Sequence, residues 1–177
     1  LVPEGGTDTL GVKGVAELLL HRTPAGAANL ISCATGSGGT VAGLALGHPQ
    51  IPVWGITVVK DASLAGKIAA LAPDHHNWQL IPDCSGQRYG QFDDETLQLC
   101  LQLSEQDLPL EPVYTGKALH TLLTALSERR IQAGQRLVFF HSGGLQGLDG
   151  LLHQDRITPA QYQQIKSAEL RLWHQFG

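Results

Sequence analysis

Several residue types and patterns are scarce in this 177-residue sequence. It contains no methionine and only three cysteines, and 16% of its residues are charged. Cys33, Cys84 and Cys100 are odd in number and far apart, which argues against a disulfide framework or a zinc site and is typical of the reducing cytosol. No apolar run approaches the ~18 residues of a membrane span. We therefore expect a cytoplasmic protein with neither a metal site nor a membrane partner.

The balance of charge excludes another class of partner. The net charge is −4, and lysine and arginine are scattered without forming a basic run. Nucleic-acid binding needs a basic patch or stripe, so we expect no nucleic-acid partner. Hydrophobic residues make up 42% of the chain, which is typical of a globular protein, and the length suits one domain.

The beginning of the sequence suggests that part of a longer protein is absent. The opening residues, LVPEGG, have the pattern of a strand that runs into a glycine turn, and no initiator methionine precedes them. We expect residues 1–177 to form a single α/β unit that belongs to a larger protein.

Short apolar runs alternate with amphipathic stretches along the chain. Predicted strands cover residues 28–33, 53–59, 78–81 and 136–141. Predicted helices cover residues 10–21, 41–46, 62–71, 94–106 and 116–132, and a last helix runs from the Thr158-Pro159 pair to about residue 175. Residues 82–92 are rich in Gly, Asp and Ser, which favours a surface loop. Alternating strands and helices predict an α/β fold with a mostly parallel sheet flanked by helices.

A glycine-rich segment is the strongest candidate for a binding site. Gly36, Ser37, Gly38, Gly39 and Thr40 follow a predicted buried strand and begin a helix. Glycines allow the backbone to approach a ligand closely, and the free N–H groups of a first helical turn favour an anion. The segment has no lysine before Thr40, as a P-loop requires, and Val41 stands where a dinucleotide fingerprint needs glycine. The alternatives are a site for a single phosphate and a tight turn that only serves packing.

Four segments resemble one enzyme family. They are the glycine segment, PEGGT at residues 3–7 (family PEGG(S/T)), EPVYTGKA at residues 111–118 (family DPVYTGKA) and HSGGLQG at residues 141–147 (family HTGGLPG). They resemble, in order and spacing, the 1-aminocyclopropane-1-carboxylate deaminase / D-cysteine desulfhydrase family. These enzymes use pyridoxal 5'-phosphate and have the tryptophan synthase β-like fold, also called fold type II. The resemblance covers nearly the whole chain.

The resemblance implies roles for individual residues. The segment from Gly36 to Thr40 would hold the cofactor phosphate, and Tyr114 would act on the substrate. Thr115 and Ser142 would meet the pyridine nitrogen of the cofactor. The deaminase tends to carry glutamate at the position of Thr115, so its absence favours the desulfhydrase branch. From the residues alone, Tyr114 could equally be a packed side chain with a satisfied hydroxyl group.

The same resemblance implies what the chain would need. The Schiff-base lysine and the serine-bearing segment that contacts the substrate carboxylate would belong to an N-terminal segment, which would act as a partner. We expect a homodimer that acts on a small amino acid and is inactive without that segment. The lysines at positions 13, 60, 67 and 166 are predicted to face solvent, and Lys117 to lie at a helix start. His75 and His76 are expected to be surface residues rather than metal ligands.

Two other interpretations remain open at the level of sequence. An enzyme of the same fold could catalyse another reaction, such as serine dehydration or cysteine synthesis. A truncated remnant could bind phosphate or another chain without catalysis.

Overall fold

The structure, a computed structural model, describes residues 4–85 and 90–174, without the side chain of Glu4. The strands are β1 Arg22–Thr23, β2 Gly26–Ala27, β3 Leu30–Thr35, β4 Val53–Thr57, β5 Trp78–Pro82 and β6 Leu137–Phe140. The helices are α1 Thr9–Ala16, α2 Gly39–Gly47, α3 Leu64–Leu71, α4 Asp94–Ser104, α5 Thr115–Ser127, α6 Gly147–His153 and α7 Pro159–His174. Parts of the predicted N-terminal turn and of the predicted 82–92 loop, and the end of the last predicted helix, lie outside the described residues.

The main sheet has four parallel strands in the order β5-β4-β3-β6. The central strand β3 is buried along its whole length, as expected for a parallel sheet covered on both faces. One core lies against α2 and α3, where Ile31, Val41 and Ile68 are fully buried. A second core packs α5 against the other face through residues such as Leu122. The predicted fold class, a mostly parallel sheet flanked by helices, is confirmed.

Side chains cap the starts of two helices. Asp93 accepts a hydrogen bond from the Thr96 backbone N–H (2.8 Å) and caps α4. Thr158 and Gln161 exchange backbone-to-side-chain bonds of 2.8 and 3.2 Å at the start of α7. This reciprocal arrangement is a capping box, and Pro159 occupies the first helical position.

Two predicted helices end earlier than their apolar pattern suggests. α1 stops at Ala16 rather than near residue 21, because the chain turns and the Leu20 N–H donates to Nε2 of His48 (3.2 Å). α5 stops at Ser127 rather than near residue 132. There, Arg129 adopts a left-handed conformation, and the Arg130 N–H bonds back to the Ala125 carbonyl (2.9 Å). Tertiary contacts and a local cap thus override periodicity.

Two elements were not predicted. Each strand of the β1–β2 hairpin has only two residues, which is too short to show a periodic hydrophobic pattern. Helix α6 contains Gly147 and Gly150, which disfavour helix formation. It forms because Leu148 and Leu151 are buried in a third core with α4 and α7.

Within the described ranges, no helix is long and apolar enough to cross a membrane. The same residues hold no cluster of three or more His, Cys, Asp or Glu side chains suited to a metal ion.

Candidate functional site

The order of the strands creates a crevice beside β3. From β3 the chain proceeds to β4 and β5 on one side, and it later returns to place β6 on the other side. The loops after β3 and β6 therefore leave the carboxyl edge of the sheet in opposite directions. In open α/β sheets this switch point is where ligands bind. The glycine segment follows β3, and Ser142 follows β6, so the topology brings these two sequence-predicted regions to the same edge.

A cavity of about 1070 Å³ lies at this edge. Its wall combines the loop after β3, the turn before α5, the loop after β6 and the beginning of α6. The wall residues that matter for the site are Gly36, Ser37, Thr40, Glu111, Tyr114, Ser142, Gly143 and Gly144. Three of the four family-like segments contribute several residues each, and Gly5 extends the wall from the fourth.

The glycine segment has two sides. Gly36, Ser37 and Thr40 line the cavity. Gly38, the N-cap residue of α2, has a φ of 92°, a left-handed value that favours glycine. A Cβ atom there would lie 2.7 Å from Cγ1 of Ile68, and one at Gly39 would lie 2.9 Å from Oγ1 of Thr7. Gly38 and Gly39 thus allow close packing, whereas the other residues of the segment face the open space.

The beginning of α2 suits an anion. The first N–H groups of a helix have no acceptor within the helix, and the helix dipole makes this end positive. The hydroxyl groups of Ser37 and Thr40 add two further possible donors on the cavity wall. Thr7 Oγ1 lies 2.5 Å from Ser37 Oγ. No role for Thr7 could be assigned from the sequence, because only the fold brings Thr7 next to Ser37, which is 30 positions away.

Tyr114 stands over the glycine segment. Its ring is half-buried, and a Cβ atom at Gly36 would lie 3.4 Å from the Tyr114 hydroxyl oxygen. That hydroxyl is 3.5 Å from the carbonyl oxygen of Ala34, at the end of β3. Tyr114 also lines the cavity. The structure therefore brings Tyr114 and the predicted phosphate segment together, and the catalytic role of Tyr114 stays a prediction.

The two predicted partners of the ring nitrogen have different environments. Ser142 is exposed on the cavity wall. Thr115 is fully buried, and its hydroxyl donates to Oε1 of Glu111 at 3.3 Å. Thr115 thus lies behind the wall, with its hydroxyl directed to a carboxylate, whereas Ser142 is directly accessible. Their roles toward a cofactor stay predictions.

Glu111 is a site residue that the sequence analysis missed. Its side chain is only 2% exposed. The carboxylate accepts the backbone N–H groups of Val113 (2.7 Å), Tyr114 (2.8 Å) and Thr115 (2.7 Å). Burial raises the pKa of Glu111, and these hydrogen bonds oppose the rise. The sequence does carry a signal for Glu111, which is an acidic residue followed by a proline just before a predicted helix.

Charged groups line the cavity or lie close behind it. Lys67 is exposed, as predicted, but it also lines the cavity and pairs with Asp61 at 2.8 Å. Arg156 lies over the ring of Phe92, 4.6 Å from its centroid. Lys117 is 1% exposed, and burial lowers its pKa against the opposing effect of nearby carboxylates.

The other predicted surface residues are distributed as follows. Lys13 and Lys60 are exposed, and Lys166 is half-buried and paired with Glu169 at 2.5 Å. His75 is half-buried and His76 exposed. The sequence correctly placed Lys117 in the first turn of α5 but did not indicate its burial.

Comparison with known proteins agrees with the fold. The fold is that of the parallel-sheet α/β enzymes represented by a solved structure described as an ACC deaminase homologue. That structure has a TM-score of 0.70 and 26% identity, covering 88% of this chain and 51% of that one. No protein-family model matches the chain.

Two relatives by sequence are D-cysteine desulfhydrases. The D-cysteine desulfhydrase of Salmonella newport (strain SL254) is 30% identical in an alignment of length 171. The match covers 84% of this chain and 51% of that protein. The D-cysteine desulfhydrase of Salmonella paratyphi C (strain RKS4594) is 31% identical over 170 residues, with the same coverage. The chain thus spans about half the length of the curated relatives it matches. The predicted resemblance to the ACC deaminase / D-cysteine desulfhydrase family is confirmed.

Proposed function

We propose that the protein to which this chain belongs is a pyridoxal phosphate-dependent lyase that deaminates a small amino acid and resembles D-cysteine desulfhydrase in its reaction. The observation that carries the proposal is the cavity beside β3, whose wall is built from the segments that match this family. The relatives named D-cysteine desulfhydrase support the choice of substrate class.

The cavity has the features that the phosphate of this cofactor needs. The start of α2 offers unpaired N–H groups, and Ser37 and Thr40 offer hydroxyl groups beside them. Gly36 leaves the backbone accessible beside Tyr114, whose hydroxyl oxygen lies 3.4 Å from the place a Cβ atom would occupy. These residues would hold a phosphate monoester without a metal ion.

The proposed reaction converts D-cysteine and water into pyruvate, hydrogen sulfide and ammonia. When bound, pyridoxal phosphate supplies the electron sink for negative charge at the substrate Cα. Tyr114 would hold or move a proton at the reacting substrate, because its hydroxyl group lies on the cavity wall above the phosphate segment. Ser142 would orient the ring by a neutral hydrogen bond from the opposite loop.

A binding experiment tests the cofactor assignment without relying on catalysis. Purified protein is titrated with pyridoxal phosphate, pyridoxal and inorganic phosphate, and binding is followed by calorimetry and visible absorbance. We expect the phosphorylated form to bind at least ~10-fold more tightly than pyridoxal, since each charge-assisted hydrogen bond contributes roughly 1.5–3 kcal/mol. Thr40→Val should weaken binding of the phosphorylated form, whereas the control Thr124→Val, on α5 away from the cavity wall, should not.

A substrate panel tests the reaction. The protein with bound cofactor is assayed for sulfide, pyruvate and ammonia with D-cysteine and L-cysteine. With 1-aminocyclopropane-1-carboxylate the assay follows 2-oxobutanoate and ammonia. Tyr114→Phe should lower turnover by roughly 10²–10⁴-fold with little change in cofactor affinity, the usual effect of losing a proton-transfer group.

In the binding experiment, equal affinity for pyridoxal and its phosphate would refute the cofactor assignment. Preference for the cyclopropane substrate would move the protein to the deaminase branch.

A further inference from the structure

We propose that Glu111 is a positioning residue that fixes Tyr114 and the Ser142-bearing loop on the two sides of the cavity, an inference that rests on the function proposed above. The proposed catalytic role belongs to Tyr114, and Glu111 acts through the backbone that carries it.

The first step is the set of hydrogen bonds by which Glu111 holds the start of α5. Three successive backbone N–H groups, those of Val113, Tyr114 and Thr115, donate to one buried carboxylate. Both of its oxygens accept, and the Tyr114 N–H reaches Oε2 as well, at 3.1 Å. The Tyr114 and Thr115 N–H groups lie at the start of α5, where backbone donors lack partners within the helix. The carboxylate therefore determines the backbone position from which the Tyr114 side chain extends.

The second step is the contact of Glu111 with the loop after β6. A Cβ atom at Gly144 would lie 3.4 Å from Oε1 of Glu111, and Gly144 has a φ of 110°. The positive φ, rather than a clash, favours glycine at this position, and the loop lies beside the carboxylate. Nε2 of His141 bonds to the Pro109 carbonyl at 3.0 Å, which ties the same two segments together from the other end. Ser142 lies between His141 and Gly144, so its position depends on both contacts.

The third step concerns the chemistry of the side chain. A carboxylate accepts at both oxygens, whereas the amide of glutamine has one oxygen and one NH2 donor. Glu111→Gln keeps the size of the side chain but places a donor opposite a backbone donor, with at least one N–H left unsatisfied. Glu111→Asp keeps both acceptors on a shorter stem. The two variants therefore separate the acceptor function from side-chain volume.

The test uses nuclear magnetic resonance on the full chain without added cofactor. The protein is labelled with ¹⁵N and with [¹³Cζ]tyrosine, and the Tyr114 signal is assigned from Tyr114→Phe. Amide exchange is measured at Val113, Tyr114 and Thr115 in the wild type, Glu111→Gln, Glu111→Asp and a control, Glu128→Gln. Glu128 lies just after α5, is exposed and pairs with Arg130 (2.7 Å).

We expect the three amides to be protected in the wild type and in the control. In Glu111→Gln their protection should fall by roughly 10-fold or more, the equivalent of one unsatisfied hydrogen bond. The Tyr114 signal should shift in that variant, while the Tyr162 signal, from a hydroxyl bonded to Asp149 at 2.6 Å, should remain. Glu111→Asp should restore most of the wild-type Tyr114 signal. A general loss of packing would move both tyrosine signals and would not be rescued in this way.

Two results would overturn the inference. One is a folded Glu111→Gln variant with wild-type protection and an unchanged Tyr114 signal. If that variant does not fold, amide exchange in the wild type is the test. Unprotected amides at residues 113–115 would then contradict their hydrogen bonds to Glu111. The outcome is separate from the proposed function. Absent cofactor binding together with the expected amide behaviour would refute that function and leave Glu111 as the residue that holds the start of α5.

Discussion

A single methyl group added at Gly38 should damage the site. The φ of Gly38, 92°, is left-handed, and alanine in this region costs about 1–2 kcal/mol. The added Cβ would also lie 2.7 Å from Cγ1 of Ile68 and 3.0 Å from Cδ1 of Leu64. Both side chains are fully buried, and overpacking of a core costs about 1–3 kcal/mol. We therefore expect Gly38→Ala to lower the free energy of unfolding by roughly 2–5 kcal/mol.

A matched control lies on the helix that Gly38 contacts. Gly66 is exposed in α3, and a Cβ atom there would have nothing within 4 Å. Gly66→Ala should raise the free energy of unfolding by about 0.5–1 kcal/mol, because alanine loses less backbone entropy in a helix. The two variants add the same methyl group, so they differ only in backbone conformation and neighbours.

Urea unfolding followed by circular dichroism measures both effects. With a slope of about 2 kcal/mol/M, Gly38→Ala should lower the midpoint by roughly 1–2.5 M. A loss below about 0.5 kcal/mol, within the range of an ordinary surface substitution, would refute the close packing of α3 on the glycine segment. So would a stabilisation equal to that of Gly66→Ala.

Three further predictions concern charge, a buried amide and thiol reactivity. Hydrogen bonds from Lys67 and Ser63 lower the pKa of Asp61 to about 2, so their stabilising contribution is present above pH 3.8 and is lost as the pH falls through about 2. Because the Ser63 bonds remain in Lys67→Met, a carboxyl ¹³C titration of that variant should show the pKa rising part of the way toward 3.8, and an unchanged value would exclude the pair. The side-chain amide of Asn77 donates to the carbonyls of Ala45, His48 and Ile51 at 3.3, 2.9 and 2.9 Å. Asn77→Ala should therefore lower the free energy of unfolding in urea by about 2 kcal/mol. As the control, Gln79→Ala, at an exposed position, should change that free energy by close to zero. Burial raises the pKa of Cys33 to about 12 and also raises that of Cys100, whereas Cys84 is exposed; Ellman's reagent should therefore modify one thiol rapidly in the native protein and three after denaturation, and two rapid thiols would contradict the buried cores.

The sequence was sufficient for the sheet because its strands are short, mostly apolar and bounded by turn residues. β3 and β4 are recognisable on that basis. The ends of α1 and α5 were not, because a helix end depends on contacts outside the helix. The hydrogen bond from Leu20 to His48 joins residues 28 positions apart, and no local pattern encodes it.

The site was partly predictable for a similar reason. The residues from Gly36 to Thr40 form a contiguous motif with its own chemistry, and the topology of a parallel sheet places such a motif at a carboxyl edge. Thr7 contacts a residue 30 positions away that the fold brings close, so its role emerges only from geometry. Glu111 bonds to its own sequence neighbours, so its role could be inferred from an acidic residue just before a helix start, although its burial could not. Thr115 illustrates the reverse case: its hydroxyl group was visible in sequence, but its burial against Glu111 was not.

The two explanations of the glycine segment, phosphate binding and close packing, do not compete, because they apply to different residues. Gly38 and Gly39 face Ile68 and Thr7, and they are glycines because other side chains occupy the space beside them. Gly36 faces the cavity and the half-buried Tyr114 ring, where a Cβ atom meets its neighbours only at 3.4 Å. Substitutions on the packed side should therefore lower stability, whereas those on the open side should change ligand affinity with a smaller loss of stability. The same segment can be rigid and accessible because the helix start separates these two sides.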